Sequence, residues 1–131
     1  LTGRASAGSI AVTAEGGTVT TNLQQGLAKA WISMNGTGTI AVRDSFNITG
    51  ITDQGTGLTT VTIANNMGSA EYSIGGASGT FIDNSDNVRF GLSTDPEAPT
   101  STLFRTITRE ANDDTNRDVT YSFAQVHGDL A

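Results

Sequence analysis

The sequence contains no cysteine, one histidine, two prolines and few aromatics, 6% of 131 residues. Without cysteine there is no disulfide scaffold, no thiolate zinc site, no iron–sulfur cluster and no cysteine nucleophile. With a single histidine, a transition-metal site would have to be built from carboxylates, which zinc and copper do not favour. Basic residues are scarce as well: seven Lys and Arg against thirteen Asp and Glu give a net charge of −6. Phosphate-backbone binding rests on Lys and Arg, so no nucleic-acid partner is expected. No apolar run approaches the roughly 18–20 residues of a membrane span, and the N-terminus has no charged n-region or apolar h-region. The chain is therefore expected to be soluble, without membrane insertion, and the leading Leu1 suggests that it has been processed, or cut from a longer chain.

What is abundant is small and polar. Thr, Ser, Asn and Gly make up 57 of the 131 residues, and Thr alone 21. Thr fits a pleated surface, while Gly, Asn and Asp supply the backbone angles of tight turns. At this length a single domain over residues 1–131 is expected, large enough to bury a core unaided. Residues 1–22 form an N-terminal hairpin or attachment arm in this reading, with Ser9–Ala14 turning through Glu15-Gly16-Gly17 into Thr18–Thr21.

Alternation marks the strands. In Ala28–Met34, Ala30, Ile32 and Met34 share one face and Lys29, Trp31 and Ser33 the other. Asn35-Gly36 then predicts a hairpin into Thr39–Phe46, and Asp53–Gly57 a second turn between Asn47–Thr52 and Thr59–Ala64. Further strands are expected at Glu71–Ile74, Thr80–Ile82, Val88–Leu92, Thr102–Arg109 and Val119–Val126. Gly75–Gly79 reads as a Gly-rich stretch, Asp83–Asn87 as a polar loop and Ser93–Ser101, which holds both prolines, as a surface loop. Only Leu23–Ala30 has any claim to helix. Short strands with frequent turns point to an all-β fold, an antiparallel β-sandwich or a jelly-roll-like domain.

Several of these elements occur in an order that resembles tail-fibre and other virion structural proteins of tailed bacteriophages. They are Lys29-Ala30-Trp31, Asn35–Thr39, Arg43-Asp44-Ser45-Phe46-Asn47 and Ile51–Gly57. Met67–Tyr72 is similar to a further family element, and Thr102–Thr108 and Tyr121–Val126 match more loosely, whereas Gly75–Pro99 does not map. The resemblance implies a non-enzymatic part of the virion surface, on a tail fibre or the capsid exterior, commonly a homotrimer, with other virion proteins as partners. It brings no catalytic motif and no cofactor.

The residues themselves offer few sites. His127 and Ser122 could be written into a Ser-His-Asp set, but no GxSxG elbow exists and the terminus is a frayable place. Asp83 and Asp86 alternate with Asn84, Ser85 and Asn87 like a partial calcium loop, yet Val88 and Thr94 stand where an EF-hand needs Gly and Glu. Asp113, Asp114 and Asp118, near Arg105, Arg109 and Arg117, read as solvated loop charges with weak ion pairs. Asn35-Gly36-Thr37 and Asn47-Ile48-Thr49 are formal sequons explained by a turn and a strand edge. Trp31 is either a subunit-interface anchor or a platform for sugar. The expected interface or receptor contacts are Trp31, Arg43, Tyr72, Asp83 and Asp86. A host surface glycan is the alternative partner, and a small polysaccharide-degrading domain with paired carboxylates is the alternative from another class.

Overall fold

The computed structural model describes residues 10–13, 15–79 and 88–131. Asp83, Asp86 and the expected strand Thr80–Ile82 lie outside the described residues. The elements are β1 (Ala11–Thr13), β2 (Thr20–Asn22), α1 (Leu23–Gly26), β3 (Ala30–Asn35), β4 (Ala41–Phe46), β5 (Ile48–Gly55), β6 (Leu58–Ile63), β7 (Ser73–Gly79), β8 (Val88–Ser93), β9 (Leu103–Glu110) and β10 (Tyr121–His127). β1 and β2 form the expected N-terminal hairpin. The remaining strands make two four-stranded antiparallel sheets packed face to face: sheet I in the order β4-β3-β10-β7 and sheet II in the order β5-β6-β9-β8. The fold is the antiparallel β-sandwich of the two expected arrangements.

The period-two pattern decides what each strand buries. Ala30, Ile32 and Met34 of β3 and Ala124 and Val126 of β10 face inward from sheet I. Val61 and Ile63 of β6 and Phe104 of β9 face them from sheet II, and Met67 closes one end. At the other end the inner layer is polar: Thr59, Thr106, Thr108 and Ser122 are all buried. The Thr108 hydroxyl donates to the Arg117 carbonyl at 2.5 Å, and the Gly57 amide donates to Asp118 Oδ1 at 2.7 Å, so the 111–120 connection is tied to the β5–β6 turn.

One residue, Asn47, carries the chain from β4 in sheet I to β5 in sheet II at φ 57°. Its Nδ2 donates to the carbonyls of Lys29 (2.9 Å) and Asn65 (3.2 Å), while its Oδ1 accepts from the amide (2.7 Å) and side chain (2.8 Å) of Asn65. The corner is thus locked to both flanking segments.

The hairpin expected at Asn35-Gly36 is present: β3 pairs with β4, Asn35 lies opposite Ala41, and the loop runs over 36–40 with Gly38 at φ 65°. Within that loop the Asn35 side-chain amide donates to the Thr37 carbonyl at 3.0 Å. Two expectations are corrected. The second turn is tighter than Asp53–Gly57, because β5 continues to Gly55 through a bulge and only Thr56 and Gly57 turn. The strand expected over Glu71–Ile74 starts at Ser73 and runs on through the Gly-rich stretch Gly75–Gly79 as β7, in continuous register with β10. A Cβ on Gly76 would lie 2.2 Å from the Phe90 ring, so that ring fills the space a side chain would take.

Candidate interaction face

The outer face of sheet I gathers the chemistry. Register places Phe46, Trp31, Gln125 and Gly75 in one row across β4, β3, β10 and β7, and Asp44, Ser33, Phe123 and Ala77 in the next. Trp31, Phe123 and Phe46 are 38%, 44% and 53% exposed. Because β7 presents only Gly75 and Ala77 here, a shallow trough of about 720 Å³ opens beside Trp31 and Phe123, with Ser33, Asp44 and Gln125 on its walls. Arg43 closes the row beyond it. Its guanidinium lies 4.4 Å from the Tyr121 ring centroid and donates to the Thr120 carbonyl at 3.1 Å. Tyr121 in turn stacks on Phe123 at 6.2 Å between centroids. Round the β4 edge, Phe46 also borders a second concavity of about 710 Å³ with Leu27, Asn47 and Leu130.

Of the expected contacts, Trp31 and Arg43 therefore come together on one face. Tyr72 does not. It is packed against the core, and its hydroxyl donates to the Thr100 and Leu103 carbonyls, each at 2.9 Å. Burial pushes its phenol up to about 12. Tyr72 fastens the start of β7 to the loop before β9 rather than presenting a contact surface. Asp83 and Asp86 fall outside the described residues.

Phe123, Phe46, Tyr121 and Gln125 were not singled out from the sequence. The signal was present in β10, whose alternation separates Tyr121 and Phe123 from Ala124 and Val126; the structure turns the larger pair outward and the smaller pair inward.

The remaining candidates resolve differently. Ser122 and His127 are five residues apart on β10 and so lie on opposite faces of the sheet, which removes the paper triad. The last residues are hydrogen-bonded to the 66–68 segment: the Gly68 amide donates to Asp129 O at 2.8 Å and the Ala131 amide to Asn66 O at 2.9 Å. Asp114, at φ 61°, bridges Arg89 (2.9 Å) and Arg109 (3.1 Å), which oppose one another across β8 and β9. Asp113 accepts from the Thr115 hydroxyl and amide, bonds that lower its carboxyl below the usual range. Arg105 pairs with Glu97 at 3.4 Å instead of with the 113–118 acids. Among the described residues no three His, Asp or Glu side chains cluster as metal ligands, and no described helix is long and apolar enough to cross a membrane.

Comparison with protein-family models, with curated proteins and with solved structures finds no match in any of the three.

Proposed function

We propose that this chain is a non-enzymatic structural module of a tailed-phage virion surface, on a tail fibre or the capsid exterior, and that it assembles as a homotrimer through the outer face of sheet I. The observation that carries the reading is the contiguous aromatic face of Trp31, Phe46 and Phe123, each more than a third exposed. Interface centres are enriched in Trp, Tyr, Phe and Arg, and this face holds all four types once Tyr121 and Arg43 are counted. The ordered resemblance supplies the virion context, and its motif residues do structural work: Asn47 of the Arg43–Asn47 element is the corner, and Gly57 the tight turn.

Light scattering on the full chain at micromolar concentration tests the assembly. A particle built on threes of the 13.5 kDa chain is expected, and the double change Trp31→Ser/Phe123→Ser is expected to dissociate it with the far-UV spectrum retained. A parent chain that stays monomeric or dimeric over that range overturns the trimer.

A second reading, a host glycan held in the same trough, is favoured by one feature. Asp44, Gln125 and Ser33 offer a carboxylate, an amide and a hydroxyl beside two aromatic faces. Binding on a glycan array that disappears with Trp31→Ala would support it; an array without signal removes it.

A further inference from the structure

Each sheet ends in two edge strands, β4 and β7 in sheet I and β5 and β8 in sheet II. An edge presents unpaired backbone N–H and C=O groups, and proteins protect such edges with charge, proline or bulges. Three of the four carry a device of this kind. β4 bears Arg43 and Asp44 and breaks register opposite Ser33 and Met34. β5 is interrupted by two irregularities and carries Asp53. β8 carries Arg89, ion-paired to Asp114.

β7 has none of them. Its seven residues, Ser73–Gly79, include no charge and no proline, and they run in unbroken register with β10. Outside that ladder, no backbone hydrogen bond from another described residue reaches it.

We infer that β7 is a second assembly edge, at which β7 of another copy of this chain adds antiparallel about a two-fold axis and joins two copies of sheet I into one continuous sheet. A two-fold contact requires a surface that fits itself. β7 meets that requirement. The register that pairs all seven residues places Gly76 opposite Gly76 and Gly75 opposite Ala77 of the second copy, and the outward positions Ser73, Gly75, Ala77 and Gly79 are small and neutral. In a chain of net charge −6, an uncharged strand lets copies approach without opposing like charges across the joint. Phe123, which lies beside Ala77 on β10, flanks the joint from each side. This edge is the free backbone of β7 and adjoins the aromatic face proposed for the trimer, Gly75 and Ala77 bordering both, but neither contact requires the other.

The mass of the full chain separates the two. An even multiple of 13.5 kDa is expected: six copies if the three-fold face also holds, two if it does not. Ala77→Lys, at an exposed position that borders both surfaces, is expected to lower that mass with an unchanged far-UV spectrum. Because the chain has no cysteine, a register test is also clean. Directly opposed antiparallel residues have Cα atoms about 4.5–5.5 Å apart, within disulfide reach. A mixture of Gly75→Cys and Ala77→Cys chains should therefore form a covalent dimer on oxidation far more than either variant alone. A parent of three copies overturns the edge and leaves the trimer standing; a parent of one copy overturns both. An unchanged mass for Ala77→Lys, or cross-linking as strong in the separate variants as in the mixture, also overturns the edge.

Discussion

Asn47 holds the corner between the two sheets, and its geometry allows the cost of a substitution there to be divided. The residue sits in the left-handed region at φ 57°, where a side chain other than Asn or Asp costs about 1 kcal/mol. Its amide makes four hydrogen bonds, to Lys29 and Asn65. The contacts to Asn65 are exposed and water can replace part of them, while the bond to the Lys29 carbonyl is partly buried. Taking about 0.5–1 kcal/mol net for each of the two or three that water cannot fully replace gives about 2 kcal/mol. Asn47→Ala therefore loses about 3 kcal/mol, backbone and side chain together. Asn47→Gly removes the same bonds but relieves the backbone, and is expected to be about 1 kcal/mol less destabilised than Ala. Asn47→Asp keeps the acceptor and the tolerance of positive φ while losing both donors, and should lie between Gly and the parent.

Urea unfolding at fixed protein concentration, followed through Trp31, the only tryptophan, measures all three. Concentration has to be held constant because assembly adds to apparent stability. If Gly is as damaging as Ala, backbone geometry is not the cause. If every variant stays within about 0.5 kcal/mol of the parent, the corner is not a determinant of the fold and the reasoning fails.

Two further perturbations probe the same framework. Tyr72 has a phenol raised by burial to about 12, so the unfolded chain ionises near 10 while the folded chain does not; stability is intact below pH 10 and falls as pH rises from 10 to 12. The ring is partly exposed, so a loss of about 1 kcal/mol is expected over that window. Tyr72→Phe should remove most of this alkaline slope and cost about 1 kcal/mol at pH 7 through the two lost carbonyl contacts; a slope as steep as the parent's would refute the assignment. Gly76→Ala forces a Cβ to 2.2 Å from the Phe90 ring and 2.6 Å from the Phe123 carbonyl oxygen, and should cost at least about 1–3 kcal/mol in urea unfolding. Gly75→Ala, whose nearest neighbour would be 3.6 Å away, is the control, and equal effects at the two positions would contradict the packing described.

The elements that were legible in the sequence are those whose alternation is expressed by burial. β3 and β9 bury Ala30, Ile32 and Met34, and Phe104, Thr106 and Thr108, on the faces that period two assigns. What was not legible depends on partners distant in sequence. The Gly-rich stretch of β7 carries no pattern, because its inward space at Gly76 is filled by Phe90, fourteen positions later in the chain. Asn35-Gly36 marks the hairpin, but the length of its loop does not show in the sequence, because the Gly36 amide donates at 2.8 Å to the carbonyl of Val119, far along the chain. Of the candidate face, Trp31 could be read from its own strand. Phe123 could not, since which side of β10 meets the core is settled only when sheet II is in place.

That choice of side connects composition to function. A strand offered Tyr121 and Phe123 on one face and Ser122, Ala124 and Val126 on the other would gain more by burying the aromatic pair, at about 25 cal/mol for each Å² removed from water. The fold buries the small face instead, because the inter-sheet space is already occupied by Val61, Ile63, Phe104 and a layer of threonines. The sandwich therefore fills one end of its interior with small polar side chains, Thr59, Thr106, Thr108 and Ser122. Its aromatic surplus goes to the outside of sheet I, where Trp31, Phe46 and Phe123 lie in adjoining rows of one face. Apolar burial forgone by the single chain can be recovered only against another molecule, and that unspent surface favours assembly more than any single residue does.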